Sequence, residues 1–427
     1  MDTWYSPPAN WLRWAGALAA GLLLLTRVMA FPNPGLAGEG SGLDAAPCPV
    51  RVVANDVVVP DDERISVGYR VLPEGIIADP GAWPYFAWSD TPLGVARTRD
   101  RSDYLFFGSD GGCHLDCTGE TSRGGSITVS RGTLDHPLGR PLSDPNPPPR
   151  EFLLPTSANL PPTMDYVGGG PVYRVPEGEP GAGSLFLVYH AERVAGPFWS
   201  WLGLARSRDE GETWEDLGLI ISAGMPFDSQ FHFDVGDGGL VEAADPSTGH
   251  RYFYIFFPDQ FSVSSWTYLS VARAPYEELL RAAADERSKK APELFHKYYD
   301  GHWDQPGLGG MSSELFPAVT GETDGDPQVA WSAYRHRFVT IMDNGQYIAY
   351  GESRDGLHWP AMQVLLGTNP ETPVYGYANA VGLGPDPGIL GDTFYSFYTE
   401  FPIGVSWQPA TLNRLTLTYL PCGESER

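Results

Sequence analysis

Four times along the chain, a small-residue segment leads into a strongly apolar or aromatic run. The leading segments are GGPVY at 169, GGLVE at 238, DPQVA at 326 and ANAVG at 378; the runs that follow are LFLVYH, YFYIFF, FVTIM and FYSFYTE. Short runs rich in Val, Tyr and Phe, broken by Gly, Pro and Asp, read as strands joined by turns. A repeated unit of this kind cannot bury its own faces and must stack on its neighbours, which is the pattern of a propeller blade. Residues 83–133 form a less regular first unit, with strands expected near 94–98, 104–108 and 126–130. The count is then five, and the chain reads as all-β, a five-bladed β-propeller. Using residues 51–72 as part of an extra sheet gives a competing count of six. One segment, 276–296, has Leu279, Leu280, Ala283 and Ala284 at helical spacing, with Pro292 interrupting. It predicts two short helices inserted between blades three and four.

The composition agrees. Aromatics make up 13 % of the 427 residues, with 50 Gly and 40 Pro, which suits many short strands and many turns. A net charge of −25, with Lys289, Lys290 and Lys297 as the lysines, argues against nucleic acid or an anionic membrane as partner. Arg13 followed by an apolar core at 14–25 and by Val28-Met29-Ala30 reads as a signal peptide over 1–30, cleaved before Phe31. An uncleaved membrane anchor is the alternative, because Arg27 lies between the core and that site. Residues 31–47 read as a flexible linker, 48–422 as one propeller domain and 423–427 as a tail. In an exported chain the four cysteines suggest two disulfides, Cys113 with Cys117 and Cys48 with Cys422. A zinc site at Cys113, His114 and Cys117 competes with the first pair.

Between the third and fourth strands of the second unit lies Ser207-Arg208-Asp209-Glu210-Gly211-Glu212-Thr213-Trp214, and Ser353-Arg354-Asp355-Gly356-Leu357-His358-Trp359 repeats it one residue shorter. The first resembles the Asp-box of sialidase-type propellers, a structural turn. The YRVP around Arg174, followed by LVYHAER, resembles the start of a sialidase, in which such an arginine holds a substrate carboxylate. The five-unit count and the shortened second turn resemble the arabinanase, xylosidase and invertase type of glycosidase propeller. That resemblance implies carboxyl groups at the axial ends of successive first strands. It points to Asp90 as base or nucleophile, Asp165 as the residue that orients substrate and adjusts pKa, and a blade-three acid. The family's acid is a Glu; this chain has Asp237 there, with Asp234 nearby and Glu242 further along, and Glu192 is a second candidate acid. Candidate substrate contacts are Arg174, His190, Asp326 and the aromatics Trp88, Trp199 and Trp303.

Each of these has a plainer alternative. An Asp among glycines also caps turns, His190 after an apolar strand also serves as a core residue, and Arg174 also satisfies carbonyls within a blade. The expectation is a secreted, monomeric glycoside hydrolase acting on a poly- or oligosaccharide. It needs no cofactor, although Asp234, Asp237 and Asp326 could take Ca²⁺. A non-catalytic glycan-binding propeller and a sialidase-like exo-enzyme are the alternatives.

Overall fold

The computed structural model describes residues 50–59, 65–66, 69–72, 75–78, 84–85, 91–109, 127–137, 150–152, 166–193, 199–224, 233–261, 266–285, 290–315, 327–343, 345–359, 362–367, 374–401 and 411–420. Five antiparallel blades follow one another around an axis. Blade one comprises Gly94–Arg97, Tyr104–Ser109, Ile127–Gly132 and Arg150–Phe152. In blade two, the inner segments Tyr166–Gly168 and Val172–Arg174 pair with Leu185–Arg193, followed by Trp199–Ser207 and Glu215–Ile221. Blade three runs from Gly239–Ala244 through Arg251–Phe261 and Trp266–Pro275. Blade four is Gln328–Ser332, Arg337–Asp343, Ile348–Ser353 and Gln363–Leu366. Blade five has Val374–Gly376 and Val381–Gly382 inside, then Thr393–Phe401 and Thr411–Tyr419.

The outermost strand of blade five is Val50–Val59, which lies antiparallel to Thr411–Tyr419 with Val50 opposite Tyr419. The beginning of the propeller therefore closes its last blade, and residues 51–59 contribute to no sixth blade. Tyr69–Leu72 pairs with Gly75–Ala78 in a separate two-stranded hairpin.

The aromatic content is spent largely at the seams between blades. Phe107 meets Trp214 between blades one and two, Tyr173 meets Phe253 between two and three, and Phe256 meets Phe338 between three and four. Tyr350 and Tyr419 join four to five, and Phe106 and Phe397 join one to five. These are edge-to-face contacts with centroids 4.8–6.4 Å apart, and each adds about 1 kcal/mol beyond its buried area. Near the axis the inner strands approach so closely that a side chain would not fit. A Cβ on Gly239 would stand 2.7 Å from the Pro327 carbonyl oxygen and the Val329 nitrogen of blade four. Gly239, and likewise Gly169 against Gly108 of blade one, are thus required by blade-to-blade contact.

The two Ser-x-Asp turns do the same work at two seams. Asp209 accepts the Thr213 N–H (2.8 Å), and Ser207 Oγ accepts the Gly211 N–H (2.8 Å), at a Gly with φ +85°. This aims Trp214 at Phe107. In the shorter version Asp355 accepts from the amides of Leu357 and His358, and Trp359 packs edge-on to Phe256 at 5.9 Å. Both turns sit at the end of the propeller away from where the inner strands begin.

The insertion after blade three is a helix, Tyr276–Ala284, and a single 3-10 turn, Pro292–Leu294. Tyr276, Leu279, Leu280 and Ala283 face the core. Residues 295–310, whose polar and aromatic make-up suggests a loop bordering a cavity, instead form a hairpin, His296–Tyr299 with His302–Pro306, that extends the blade-three sheet. The cause is a buried lysine. Lys297 donates to the carbonyls of Ser222 (2.5 Å) and Gly310 (2.8 Å), drawing the segment onto blade two. The four cysteines and residues 1–49 lie outside the described residues.

Candidate active site

Because neighbouring strands alternate in direction, one face of the propeller collects the starts of the inner strands and the ends of the second strands. On this leading face, three blades bring titratable groups together. Blade two supplies His190 and Glu192 near the end of its second strand, where Gly168 stands opposite His190 and Tyr166 opposite Glu192. Blade three supplies Asp237 from the turn before Gly239. Blade four supplies Asp343, the last residue of its second strand.

His190 is the centre. Its Nδ1 lies 3.1 Å from Asp237 Oδ1, and its Nε2 lies 3.2 Å from Glu192 Oε1. The ring has a carboxyl group near each nitrogen, with hydrogen-bond geometry at Nδ1 toward Asp237. The His190 side chain is 5 % exposed, while Glu192 and Asp237 keep 17 % and 11 % of their side-chain surface. The imidazole is thus a buried tie between two carboxylates that remain partly open.

Asp237 has φ +43°, a conformation that costs a non-glycine residue about 1 kcal/mol. Its carbonyl accepts from Gln328 Nε2 at 3.1 Å, a buried side chain on the inner strand of blade four. Asp343 is buried and accepts the Ala378 N–H through Oδ2 at 2.9 Å. Burial, opposed by the amides of Ala378 and Tyr377 and reinforced by the charge of Asp237, pushes its pKa up to about 7. Among the described residues, no group of three or more acidic, His or Cys side chains has the spacing of a metal site.

Of the sequence candidates, the structure brings together Asp237, His190 and Glu192. Asp90, Asp165, Trp88 and Asp326 lie outside the described residues. Tyr166, next to Asp165, pairs with Glu192, and Pro327, next to Asp326, packs against Gly239. The side chain of Asp234 also lies outside the described set. Glu242 is spent on Arg251 (2.8 Å), further along the inner strand.

The remaining three candidates are placed elsewhere. Arg174 stands opposite Leu185, five residues along the strand from His190, or roughly 17 Å. It donates to both carboxylate oxygens of Glu210 at 2.8 Å and to the carbonyls of Arg97 and Gly183 at 2.9 Å. It fastens the Ser207–Trp214 turn to two blades and holds nothing at the leading face. Arg174→Ala is expected to lower stability by roughly 1–3 kcal/mol, because the pair is only partly buried, and to leave the folded fraction fully active. Thermal unfolding and specific activity of the same sample check both halves. Trp199 is 1 % exposed and stacked on Trp201, so it belongs to the core. Trp303 packs on Arg273, which pairs with Asp245 at the far end of the blade-three inner strand.

Sequence reasoning missed Asp343 and Gln328. Gln328 is in the DPQVA repeat segment, where its place on an inner strand was a usable signal. Asp343 ends an apolar run before Asn344 and looks like an ordinary turn residue.

Fold and site together define a five-bladed β-propeller with a carboxylate–imidazole cluster on its leading face. No family model and no curated protein matches the chain. Solved structures similar to it include a protein of unknown function from Dyadobacter fermentans, at 13 % identity, covering 87 % of this chain and 99 % of that one with a TM-score of 0.47. The alpha-L-arabinofuranosidase of Fusarium graminearum, bound to an iminosugar inhibitor, is 8 % identical over 83 % of this chain and 97 % of its own, with a TM-score of 0.46. A family 117 glycoside hydrolase from Zobellia galactanivorans is 11 % identical over 85 % and 92 %, with a TM-score of 0.43.

Proposed function

We propose that the protein is an exported glycoside hydrolase that cleaves a poly- or oligosaccharide at the leading face. The observation that carries this reading is the Glu192–His190–Asp237 cluster, two partly open carboxyl groups flanking one buried imidazole. Glycosidic cleavage generally needs one carboxyl group to protonate the leaving oxygen and a second to activate water or attack the sugar. A site with several carboxyl groups in unequal surroundings supplies both forms at one pH, since like charges in a poorly solvated space do not all ionise together.

In this reading Asp237 and Glu192, both facing His190, are the candidate acids. Asp90 and Asp165 retain the roles of base or nucleophile and of substrate orientation. Arg174 is engaged by Glu210, so the arginine that motivated a sialidase-like enzyme is not at the site. The acting form is the monomeric chain from Phe31, released by its signal peptide, with carbohydrate as its ligand.

The test is release of new reducing ends by that chain from a panel of plant, fungal and bacterial polysaccharides. Release from at least one, lost on Asp237→Asn, is the expected result. Retention of a glycan with no cleavage of any would replace the reading with a binding propeller.

A further inference from the structure

Between the two inner segments of blade three, Phe233–Asp234 and Gly239–Ala244, the chain makes the turn that carries Asp237. This turn is held from both neighbouring blades. On the blade-two side Phe233 lies parallel to Trp199, and the Ser200 hydroxyl accepts the Val235 N–H at 2.7 Å. On the blade-four side the Gln328 amide donates to the Asp237 carbonyl at 3.1 Å. We propose that Ser200 and Gln328 are positioning residues for Asp237: from opposite sides they fix the backbone from which its carboxyl reaches His190. The proposal rests on the glycoside hydrolase reading for its effect on turnover, and on geometry alone for its effect on the Asp237–His190 contact.

The turn needs such support because its sequence works against it. In Gly236-Asp237-Gly238-Gly239, a backbone at φ +43° falls on the one residue that has a side chain. An aspartate there costs about 1 kcal/mol, and a strained residue persists when its surroundings over-determine it. A glycine at 237 would adopt the same backbone freely but could present no carboxyl to His190 Nδ1, 3.1 Å away. The two glycines that follow let the turn press against both neighbours. A Cβ on Gly238 would lie 2.6 Å from Leu202 Cδ1 of blade two, and one on Gly239 2.7 Å from the Pro327 carbonyl oxygen of blade four.

Ser200, Val235 and Gln328 are all buried. A buried amide that loses its acceptor keeps its desolvation cost without the bond that offset it, and the backbone moves to find another partner. Such a shift at Val235 is passed to Asp237, two residues on. Misplacing a catalytic group by about 1 Å can cost about a hundredfold in rate. Ser200 and Gln328 act through the backbone, so their removal is expected to lower kcat more than it alters KM.

The contact is read first without any sugar. With isotope-labelled histidine, the His190 ring signal is assigned by its disappearance in His190→Gln. It is expected to move in Gln328→Leu and in Ser200→Ala toward its position in Asp237→Ala, and to stay at the wild-type position in Ser332→Ala. Ser332 is the control because it is a buried residue on the same inner strand as Gln328, and its hydroxyl serves Arg335 and Tyr419 at the far end. Ser200→Cys, which keeps the volume but accepts only weakly, takes the place of Ser200→Ala if that variant does not fold. An unmoved His190 signal in the variants of Ser200 or of Gln328 would overturn the role of that residue, whether or not any sugar is cleaved.

The second measurement is steady-state turnover of a cleaved sugar. Gln328→Leu and Ser200→Ala are each expected to lose about tenfold in kcat at little changed KM, with Ser332→Ala near wild type. Gln328→Glu is expected to regain activity relative to wild type as pH falls from about 8 to about 5, since only its protonated carboxyl can donate to the Asp237 carbonyl, while the ratio for Gln328→Leu stays flat. An equal loss in Ser332→Ala, or parallel ratios for Gln328→Glu and Gln328→Leu, would overturn the positioning roles. Absence of hydrolysis in wild type would instead overturn the functional reading, with the His190 signal still deciding the positioning.

Discussion

Replacing His190 by alanine is expected to remove hydrolysis, by a factor of about 100 or more, and to destabilise the fold by roughly 3 kcal/mol. The imidazole faces both Asp237 and Glu192. Without it two carboxyl groups confront each other across a space that a methyl group does not fill. The penalty is electrostatic as well as steric, so it should be larger at pH 8 than at pH 5, where carboxyl groups can take up protons in place of the missing partner. Thermal unfolding at the two pH values separates this from simple loss of packing, which would cost the same at both. A variant with unchanged stability and activity would mean that His190 is a bystander and that the two carboxylates are held by other groups.

Deleting the closing strand is the second change with a large expected effect. A chain that begins at residue 60 should show no cooperative thermal transition and should aggregate. Val50–Val59 covers the whole edge of Thr411–Tyr419, and several side chains clamp it. The Gln363 amide donates to the Val50 carbonyl (2.6 Å) and its oxygen accepts the Val50 N–H (3.1 Å). The Tyr398 hydroxyl donates to Asn55 at 3.0 Å. Removing the strand turns Thr411–Tyr419 into a long unpaired edge, and it also frees the contact by which the last blade completes the ring. A truncated chain that unfolds at the wild-type temperature would show that the ring closes without its outermost strand.

The sequence carried the blades because blade structure is local: apolar runs of strand length, punctuated by Gly and Pro, announce themselves without reference to distant residues. The closing strand was not legible as such. VRVVANDVVV reads as a strand, but nothing local says that its partner lies some 360 residues away. The site was legible in part. Asp237 and Glu192 stand out as carboxyl groups beside inner strands, and His190 as a polar end to an apolar run. What joins them is a relation between blades, and residue types along one blade do not encode it. Asp343 shows the limit most clearly, since a buried carboxyl at a strand end looks like any turn aspartate until its surroundings are known. Arg174 shows the converse: YRVP is a legible motif, and in this chain its arginine serves the Ser207–Trp214 turn on the other face.

The proposed hydrolysis takes place on the leading face at Asp237. The most direct measurement is kcat/KM of Asp237→Asn beside that of Arg174→Ala, on whichever sugar the wild-type chain cleaves, with folding of both verified by thermal unfolding. A loss of about a thousandfold or more is expected for Asp237→Asn, and near wild-type turnover for folded Arg174→Ala. The reverse pattern, an active Asp237→Asn and a dead but folded Arg174→Ala, would place the reaction on the opposite face and contradict that assignment.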